Sequence, residues 1–215
     1  MQTKIISGLT AMLLLLMSTT IAAAAELIFE GAIIQESYDP SDINLDTISV
    51  DYWSFTVENA GTVTIDVLSW ERDPNEWFWV DVNGDGEDSF IDSSIHVFQG
   101  SLNAANVYVS NDDSLGAGFG DGSIRGNDSY ISQEFEAGDY ILAISSCGYS
   151  PFFTVDEAVA GLNERAIIPY SAGEGDHGDY RITVSGNVSA VPLPAAGWLL
   201  AAGVLSLTGM RRKCT

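Results

Sequence analysis

Apolar and polar residues alternate with a period of two along most of the chain between Glu26 and Ala190. This period is typical of β-strands that bury one face. Clusters of Gly, Asn and Asp separate the alternating stretches and favour turns, and only Glu157–Arg165 is predicted to form a short helix. The pattern therefore predicts an all-β fold, a single antiparallel β-sandwich or jelly roll. The predicted strands include Trp53–Val57, Val63–Val67, Ile95–Val97, Val107–Val109, Tyr140–Ile144 and Tyr180–Val184.

Two of these strands are close neighbours in the chain. Trp53–Val57 and Val63–Val67 are joined by the short turn Asn59–Gly61, a spacing that predicts a β-hairpin. The same unit recurs later in the chain, since Asp51–Ile65 resembles Asp128–Leu142. This repeat predicts two related hairpins, one in each sheet. Chance similarity between hairpins is the alternative.

The N-terminus has the features of a secretory signal peptide. Lys4 supplies the charged start, Ala11–Met17 the apolar segment, and Ala22–Ala25 an A-x-A cleavage site before Glu26. We therefore expect residues 1–25 to be removed. The remaining segment, residues 26–190, is long enough for one extracytoplasmic domain with a hydrophobic core.

The C-terminus carries a second apolar segment. The stretch from Val191 to Met210 bears no formal charge, and its length is close to the ~20 residues that a helix needs to span a bilayer. Arg211, Arg212 and Lys213 follow, as the positive-inside rule expects at the cytoplasmic end. On these grounds alone, residues 191–215 predict a C-terminal transmembrane helix that anchors the protein.

The order of features in this tail also carries a family resemblance. Val191, Pro192, Leu193, Pro194 and Ala195 precede the apolar segment and the basic cluster. This arrangement resembles the VPLPA variant (VPLPA-CTERM) of the PEP-CTERM bacterial sorting signals. The resemblance implies that a membrane enzyme of the exosortase type recognises and cuts the tail. The exported protein would then be membrane-anchored at least transiently, and would reside in the cell envelope or outside the cell.

Charge is distributed unevenly along the chain. All 30 acidic residues lie between Glu26 and Asp179, and the four arginines of residues 26–190 leave that segment with a formal charge of −26. A surface of this kind repels nucleic acid, so DNA or RNA is not an expected partner. It also repels anionic lipid and anionic polysaccharide unless divalent cations bridge the two. Solubility and cation binding are both compatible with this charge.

A second resemblance spans the region from Ser49 to Val184. It is carried by six short motifs in a fixed order: Asp51–Phe55, Ala60–Gly61, Asp92–Phe98, Asn111–Asp113, Asp128–Tyr130 and Ala137–Tyr140. This order is similar to that of bacterial pre-peptidase C-terminal (PPC-like) domains, and the resemblance implies a β-sandwich with calcium at one end. The chain departs from the family in an inserted acidic loop, Asp81–Asp88, and in a long segment, Ser146–Gly178, before the last strand.

The inserted loop has the spacing of a calcium-binding loop. Asp81, Asn83 and Asp85 fall at positions one, three and five, Gly86 at position six and Asp92 at position twelve. This is the EF-hand spacing, with Asp in place of the usual bidentate Glu. The flanking sequences are strand-like, which excludes an EF-hand domain but allows a calcium-binding loop between strands. A solvated acidic turn is the alternative.

A second acidic group lies further along the chain. Asn111, Asp112 and Asp113 are followed by Asp121 and Asp128. The PPC-like resemblance implies that Asp92, Asp112, Asp113 and Asp128 converge at one end of the sandwich, so Asp92 is a candidate for either calcium site. Separate loop acids that repel one another in water are the alternative.

The aromatic residues and the cysteine allow two readings each. Trp77 and Trp79 share one strand face, where they either pack in the core or present rings to a glycan. Cys147 is the only cysteine of residues 26–190, and a buried thiol is favoured over pairing between chains.

Catalytic motifs are missing from the sequence. His96 and His177 are the only histidines, and there is no G-x-S-x-G or C-x-x-C motif and no phosphate-binding glycine loop in its expected setting. We therefore expect a protein without enzymatic activity.

The sequence predicts a calcium-stabilised extracellular-matrix or cell-surface protein with a structural or adhesive role linked to exopolysaccharide, in which cations bridge to anionic glycans. The alternatives are a secreted carbohydrate-binding module that uses Trp77 and Trp79 and, third, a hydrolase.

Overall fold

The computed structural model describes residues 25–37, 39, 41–42, 46–71, 80–113, 126–147, 153–164 and 177–191. Apart from Ala25 and Val191, the predicted signal peptide and the predicted sorting tail lie outside these residues. Within the described part of the chain, no helix is long and apolar enough to cross a membrane.

The described residues form short strands joined by turns, with one helix and one 3-10 turn. All the strands predicted from the alternating pattern are present. The helix is α1 (Val155–Ala160), and the 3-10 turn is Ala104–Asn106. The strands are β1 (Ala25–Ser37), β2 (Thr47–Ser49), β3 (Asp51–Val57), β4 (Gly61–Leu68), β5 (Ser93–Gln99), β6 (Val107–Asn111), β7 (Tyr130–Phe135), β8 (Gly138–Ser146), β9 (Leu162–Glu164), β10 (His177–Gly186) and β11 (Val188–Ala190).

These strands form two antiparallel sheets that enclose one apolar core. Sheet 1 has the order β7-β4-β10-β1-β2-β9, and sheet 2 has the order β11-β3-β8-β5-β6. Both sheets contribute buried side chains to the same core cluster, with Tyr180 and Ile65 from sheet 1 and Phe55 and Tyr140 from sheet 2. Burial of this apolar area is the main force that holds the sheets together. The predicted antiparallel β-sandwich is thus confirmed for the described residues.

The predicted hairpins are wrong. β3 pairs with β8 and β11, whereas β4 pairs with β7 and β10. The turn after β3 therefore crosses from sheet 2 to sheet 1, and the turn after β7 crosses back to sheet 2. In a hairpin the apolar faces of two strands would lie side by side in one sheet, whereas here they face each other across the core. The internal repeat corresponds to two such arches, which pair with each other through β3–β8 and β4–β7.

The helix is also displaced from its predicted position. It begins after Thr154, whose hydroxyl accepts a hydrogen bond from the backbone N–H of Glu157 while the Glu157 carboxylate accepts one from the backbone N–H of Thr154. This reciprocal cap fixes the start of the helix two residues before the predicted one. The chain leaves the helix at Gly161 and enters β9. Arg165, the predicted end, lies outside the described residues.

The first and last long strands form the centre of sheet 1. β1 and β10 pair over ten residues, from Ala25 opposite Gly186 to Ile34 opposite His177. Tyr180, Ile182 and Val184 of β10 point into the core and are fully buried. The start of β10 is covered by the segment that precedes β5, where Phe90 and Ile91 are buried as well. This covered end of β10 is where the acidic loop meets the sheet.

Candidate metal centre

Three carboxylates converge where the acidic loop meets β10. One oxygen each from Asp81, Asp85 and Asp179 lies within 4.8 Å of the others. Among the described residues, this is the one group of three or more acidic, histidine or cysteine side chains spaced closely enough to hold a metal ion. Asp81 and Asp85 are two of the loop residues predicted from the spacing. Asp179 was not predicted.

The loop coils around Asp81. The two carboxylate oxygens of Asp81 accept hydrogen bonds from the backbone N–H groups of Gly84 (2.6 Å) and Gly86 (2.9 Å). Both glycines have positive φ, +80° and +97°, a conformation that other residues adopt only with strain. The glycines at these positions therefore let the backbone turn sharply enough to bring Asp85 back towards Asp81.

Asn83 positions the loop and ties it to the sheet. Its side-chain oxygen accepts a hydrogen bond from the backbone N–H of Asp85 (3.1 Å). Its amide nitrogen donates to the Asp85 carboxylate (2.9 Å) and to the backbone carbonyl of Gly31 in β1 (3.3 Å). Asn83 thus orients one of the three carboxylates and anchors the loop on β1.

Asp179 forms the buried floor of the cluster. Its side chain is 0 % exposed, and neither carboxylate oxygen accepts a hydrogen bond within the described part of the chain. Strand alternation predicts that Asp179 faces away from the core, because its neighbour Tyr180 faces into it. The loop and Ser89 cover that outer face, and the Ser89 hydroxyl accepts a hydrogen bond from the Asp179 backbone N–H (2.9 Å).

The electrostatics of Asp179 reflect this position. Burial raises the pKa of Asp179, and a hydrogen-bonding contribution from the Ser89 side chain partly offsets the rise, although the Ser89 hydroxyl does not reach hydrogen-bond geometry with either carboxylate oxygen. The charges of Asp85 and Asp81 raise the pKa further, whereas His177 lowers it. His177 Nε2 lies 3.1 Å from a Glu87 carboxylate oxygen and 3.8 Å from Asp179 Oδ1. A cation between the three aspartates would remove the cost of the buried charge.

The donor set fits a hard cation. Three carboxylates supply only oxygen, the ligand type that calcium and magnesium prefer. A buried carboxylate without hydrogen bonds is unfavourable by itself and favourable once it coordinates a cation. The observation that supports a metal is therefore the environment of Asp179 as well as the number of acids nearby.

Asp92 lies away from this cluster. Phe90 and Ile91 are buried in the sandwich, so the chain turns inward after the loop and Asp92 emerges at the start of β5. There burial raises the pKa of Asp92 to about 6, although the Asn127 amide donates a hydrogen bond to it. The neighbouring charges of Asp113, Asp112 and Asp128 contribute to the rise. The structure therefore places Asp92 with the second acidic group.

Asp128 of the second acidic group already has hydrogen-bond partners within the protein. One oxygen of Asp128 accepts hydrogen bonds from the backbone N–H and hydroxyl of Ser69 and from the backbone N–H of Trp70, at 2.7–2.9 Å. Asp128 thus links the start of β7 to the end of β4.

Cys147 is a buried free thiol, as predicted, with its sulfur 3.6 Å from the Asp112 carboxylate. Burial, together with Asp92 and Asp112, raises the pKa of Cys147 to about 12.

Three predicted contributors lie outside the described residues. They are Asp121 of the second acidic group and the two candidate glycan contacts Trp77 and Trp79. These positions stay sequence predictions.

Asp92 provides a pH test of the second group. With chelator present, we expect Asp92→Asn to stabilise the protein at pH 7.5 by about 1–2 kcal/mol after allowance for solvent screening. The folded protein binds this proton below about pH 6, whereas the unfolded chain binds it only near pH 4. The wild-type protein therefore gains stability relative to the variant as the pH falls from about 7 to about 4, and the difference should vanish only below about pH 4.

Urea unfolding of both proteins across this range measures the difference. Glu36→Gln, on the exposed part of β1, is the matched control and should show no such trend. A difference between Asp92→Asn and wild type that stays constant with pH would contradict the buried, charge-crowded position of Asp92.

Comparison with known proteins finds structural similarity at low sequence identity. No protein-family model and no curated protein matches the chain. Among solved structures, the chain is similar to the pre-peptidase C-terminal domain of a collagenase from Bacillus anthracis, with 15 % identity and a TM-score of 0.34. The match covers 74 % of this chain and 88 % of that domain.

Proposed function

We propose that this chain is an exported β-sandwich protein that binds calcium between Asp81, Asp85 and Asp179 and serves a structural or adhesive role at the cell surface or in the extracellular matrix. The observation that carries the proposal is Asp179. It is fully buried, its carboxylate accepts no hydrogen bond from the described residues, and it faces two further carboxylates.

The energetic argument for a bound cation is the cost of burying the charge of Asp179. Removing a carboxylate from water costs several kcal/mol when no partner compensates it. Two neighbouring carboxylates add repulsion to that cost. A divalent cation reverses both contributions, so the free energy of metal binding becomes free energy of folding.

Calcium suits this site better than other divalent cations. Calcium accepts six to eight oxygen ligands in irregular geometries, whereas magnesium requires a near-ideal octahedron and releases its water reluctantly. The spacing of Asp81, Asn83 and Asp85, with Gly86 at position six, is also that of a calcium-binding loop. Calcium sites of extracellular modules commonly bind in the range of about 10⁻⁴ to 10⁻³ M, which suits a site with few protein ligands.

The location and role follow from the two termini and from the surface. The signal peptide and the VPLPA-type tail support export and handling by an exosortase-type enzyme. Arg181 is the only lysine or arginine among the described residues, so the described surface is strongly anionic. A rigid, soluble, cation-dependent module is suited to a matrix of extracellular polysaccharide.

Calcium removal tests the proposal directly. At a calcium concentration a hundred times the Kd, we expect about 2.7 kcal/mol of stabilisation, or a rise in Tm of roughly 5–10 °C for a domain of this size. Thermal unfolding of the purified chain in calcium and in chelator measures it, with bound metal quantified in the same samples. Identical melting curves, with no calcium retained, would refute the metal centre.

A further inference from the structure

The metal centre has one buried side and one exposed side. Asp179 lies on the buried side, whereas Asp85 is exposed. Gly84 and Gly86 lie at the outer surface of the loop, where a Cβ added to either would meet no atom within 4 Å. An ion held by Asp81, Asp85 and Asp179 would therefore contact protein on one side and solvent on the other.

The protein fills only part of the coordination sphere on its own side. Each aspartate offers one oxygen at the common focus. Bidentate binding by Asp81 is disfavoured because both of its oxygens accept backbone hydrogen bonds. Since calcium takes six to eight oxygens, these three leave about three to five positions for other oxygens, and the open side of the site is where oxygens from solvent or from a ligand arrive.

The net charge at the site determines whether an anionic or a neutral ligand oxygen is favoured on the solvent side. Three carboxylates and one divalent cation leave a formal charge of −1, and the exposed Glu87 and Asp88 lie in the same loop. Two like charges 4 Å apart repel by about 1 kcal/mol in water and several-fold more near a protein surface. A carboxylate, sulfate or phosphate ligand meets this repulsion, whereas a pair of neutral hydroxyl groups does not.

We propose that the solvent-facing side of the calcium ion binds neutral polysaccharide through adjacent hydroxyl groups of a sugar ring. This inference rests on the proposed calcium site. Two neighbouring hydroxyl oxygens replace two solvent oxygens on the ion, and the exposed carboxylate of Glu87 accepts a hydrogen bond from a sugar hydroxyl. The contact is small, so a single sugar binds weakly and a repetitive polymer binds through many equivalent sites. Calcium-dependent adhesion to a neutral glycan is the resulting activity.

Affinity electrophoresis of the full chain tests the inference. Gels containing galactomannan, a neutral polymer rich in adjacent hydroxyls, should retard the chain in calcium, and chelator should weaken the apparent affinity at least tenfold. O-methylated galactomannan, which lacks the free hydroxyls, and anionic polygalacturonate should not retard it. Bound calcium and Tm are measured on the same samples.

The outcomes separate the two proposals. Calcium binding with a higher Tm, but with no retardation by galactomannan, overturns the glycan inference and leaves the calcium site standing. Stronger retardation by polygalacturonate, or retardation that survives chelator, also overturns it. If no calcium binds, both proposals fail. Asp179→Asn should lose calcium and retardation together, whereas Asp88→Asn should keep both.

Discussion

Asp179→Asn should change the stability of this protein in opposite directions with and without calcium. In chelator, the variant should be more stable than the wild type by about 1–3 kcal/mol, because it removes a buried charge that accepts no hydrogen bond from the described residues. The new amide can also donate to the carboxylate of Asp81 or Asp85. In calcium, the wild type gains stability and the variant does not, so the order of the two melting temperatures reverses.

The measurement is a calcium titration followed by thermal unfolding. Asp88→Asn is the matched control, because it removes one negative charge from an exposed position of the same loop and should keep the calcium-induced rise in Tm. If Asp179→Asn retains the full calcium effect, the ion binds elsewhere and Asp179 is not a ligand.

Gly178→Ala should be the most destabilising small substitution near the metal centre. A Cβ at this position would lie 1.8 Å from Ile91 Cγ2 and 3.1 Å from the Phe90 carbonyl oxygen. Ile91 is fully buried, so neither group can move without disturbing the core. We expect a loss of about 3 kcal/mol, in the upper range for overpacking, together with weaker calcium binding, because Asp179 is the next residue.

Three further variants make this expectation specific: Gly61→Ala, Ile91→Ala and the double variant. Gly61→Ala introduces the same methyl group where no atom lies within 4 Å, and should change the stability by less than about 0.5 kcal/mol. Ile91→Ala combined with Gly178→Ala should cost less than the sum of the two single changes, because the methyl group then occupies the space that isoleucine leaves. Additive losses would show that the contact with Ile91 is not the cause. Chemical unfolding of the wild type and of the four variants (Gly178→Ala, Gly61→Ala, Ile91→Ala and the double variant) measures these free energies.

The strands could be predicted from the sequence because their signal is local. Tyr180, Ile182 and Val184 alternate with polar residues, and the core requires that pattern. The pairing of strands could not be predicted in the same way. A hairpin and an arch that crosses between two sheets have the same alternation and the same short turn, so the pattern alone favours a hairpin with β3 and β4 in one sheet. Only the partners β8 and β7, which come much later in the chain, distinguish the two.

The candidate site shows the same limit. Asp81, Asn83 and Asp85 were recognisable because their ligand spacing is contained in one loop. Asp179 carries no such signal, since it lies far from Asp85 in the sequence and the strand pattern predicts that it faces solvent. Asp92 has the expected spacing, but the burial of Phe90 and Ile91 takes precedence and carries it to another part of the molecule. The burial of Phe90 and Ile91 therefore determines which acidic residues lie close together.

The pairing of β1 with β10 determines when this protein can fold. The paired segments, Ala25–Ile34 and His177–Gly186, come from opposite ends of the sandwich sequence. A chain that leaves the ribosome or crosses a membrane N-terminus first therefore exposes β1 long before β10 arrives. Such distant pairing is slow and leaves apolar strand edges unprotected in the meantime.

Asp179 arrives with β10, so Asp81 and Asp85 alone cannot form the three-ligand site on a nascent chain. Calcium uptake would therefore mark the completed polypeptide, and an incompletely delivered chain would remain metal-free and open to proteolysis.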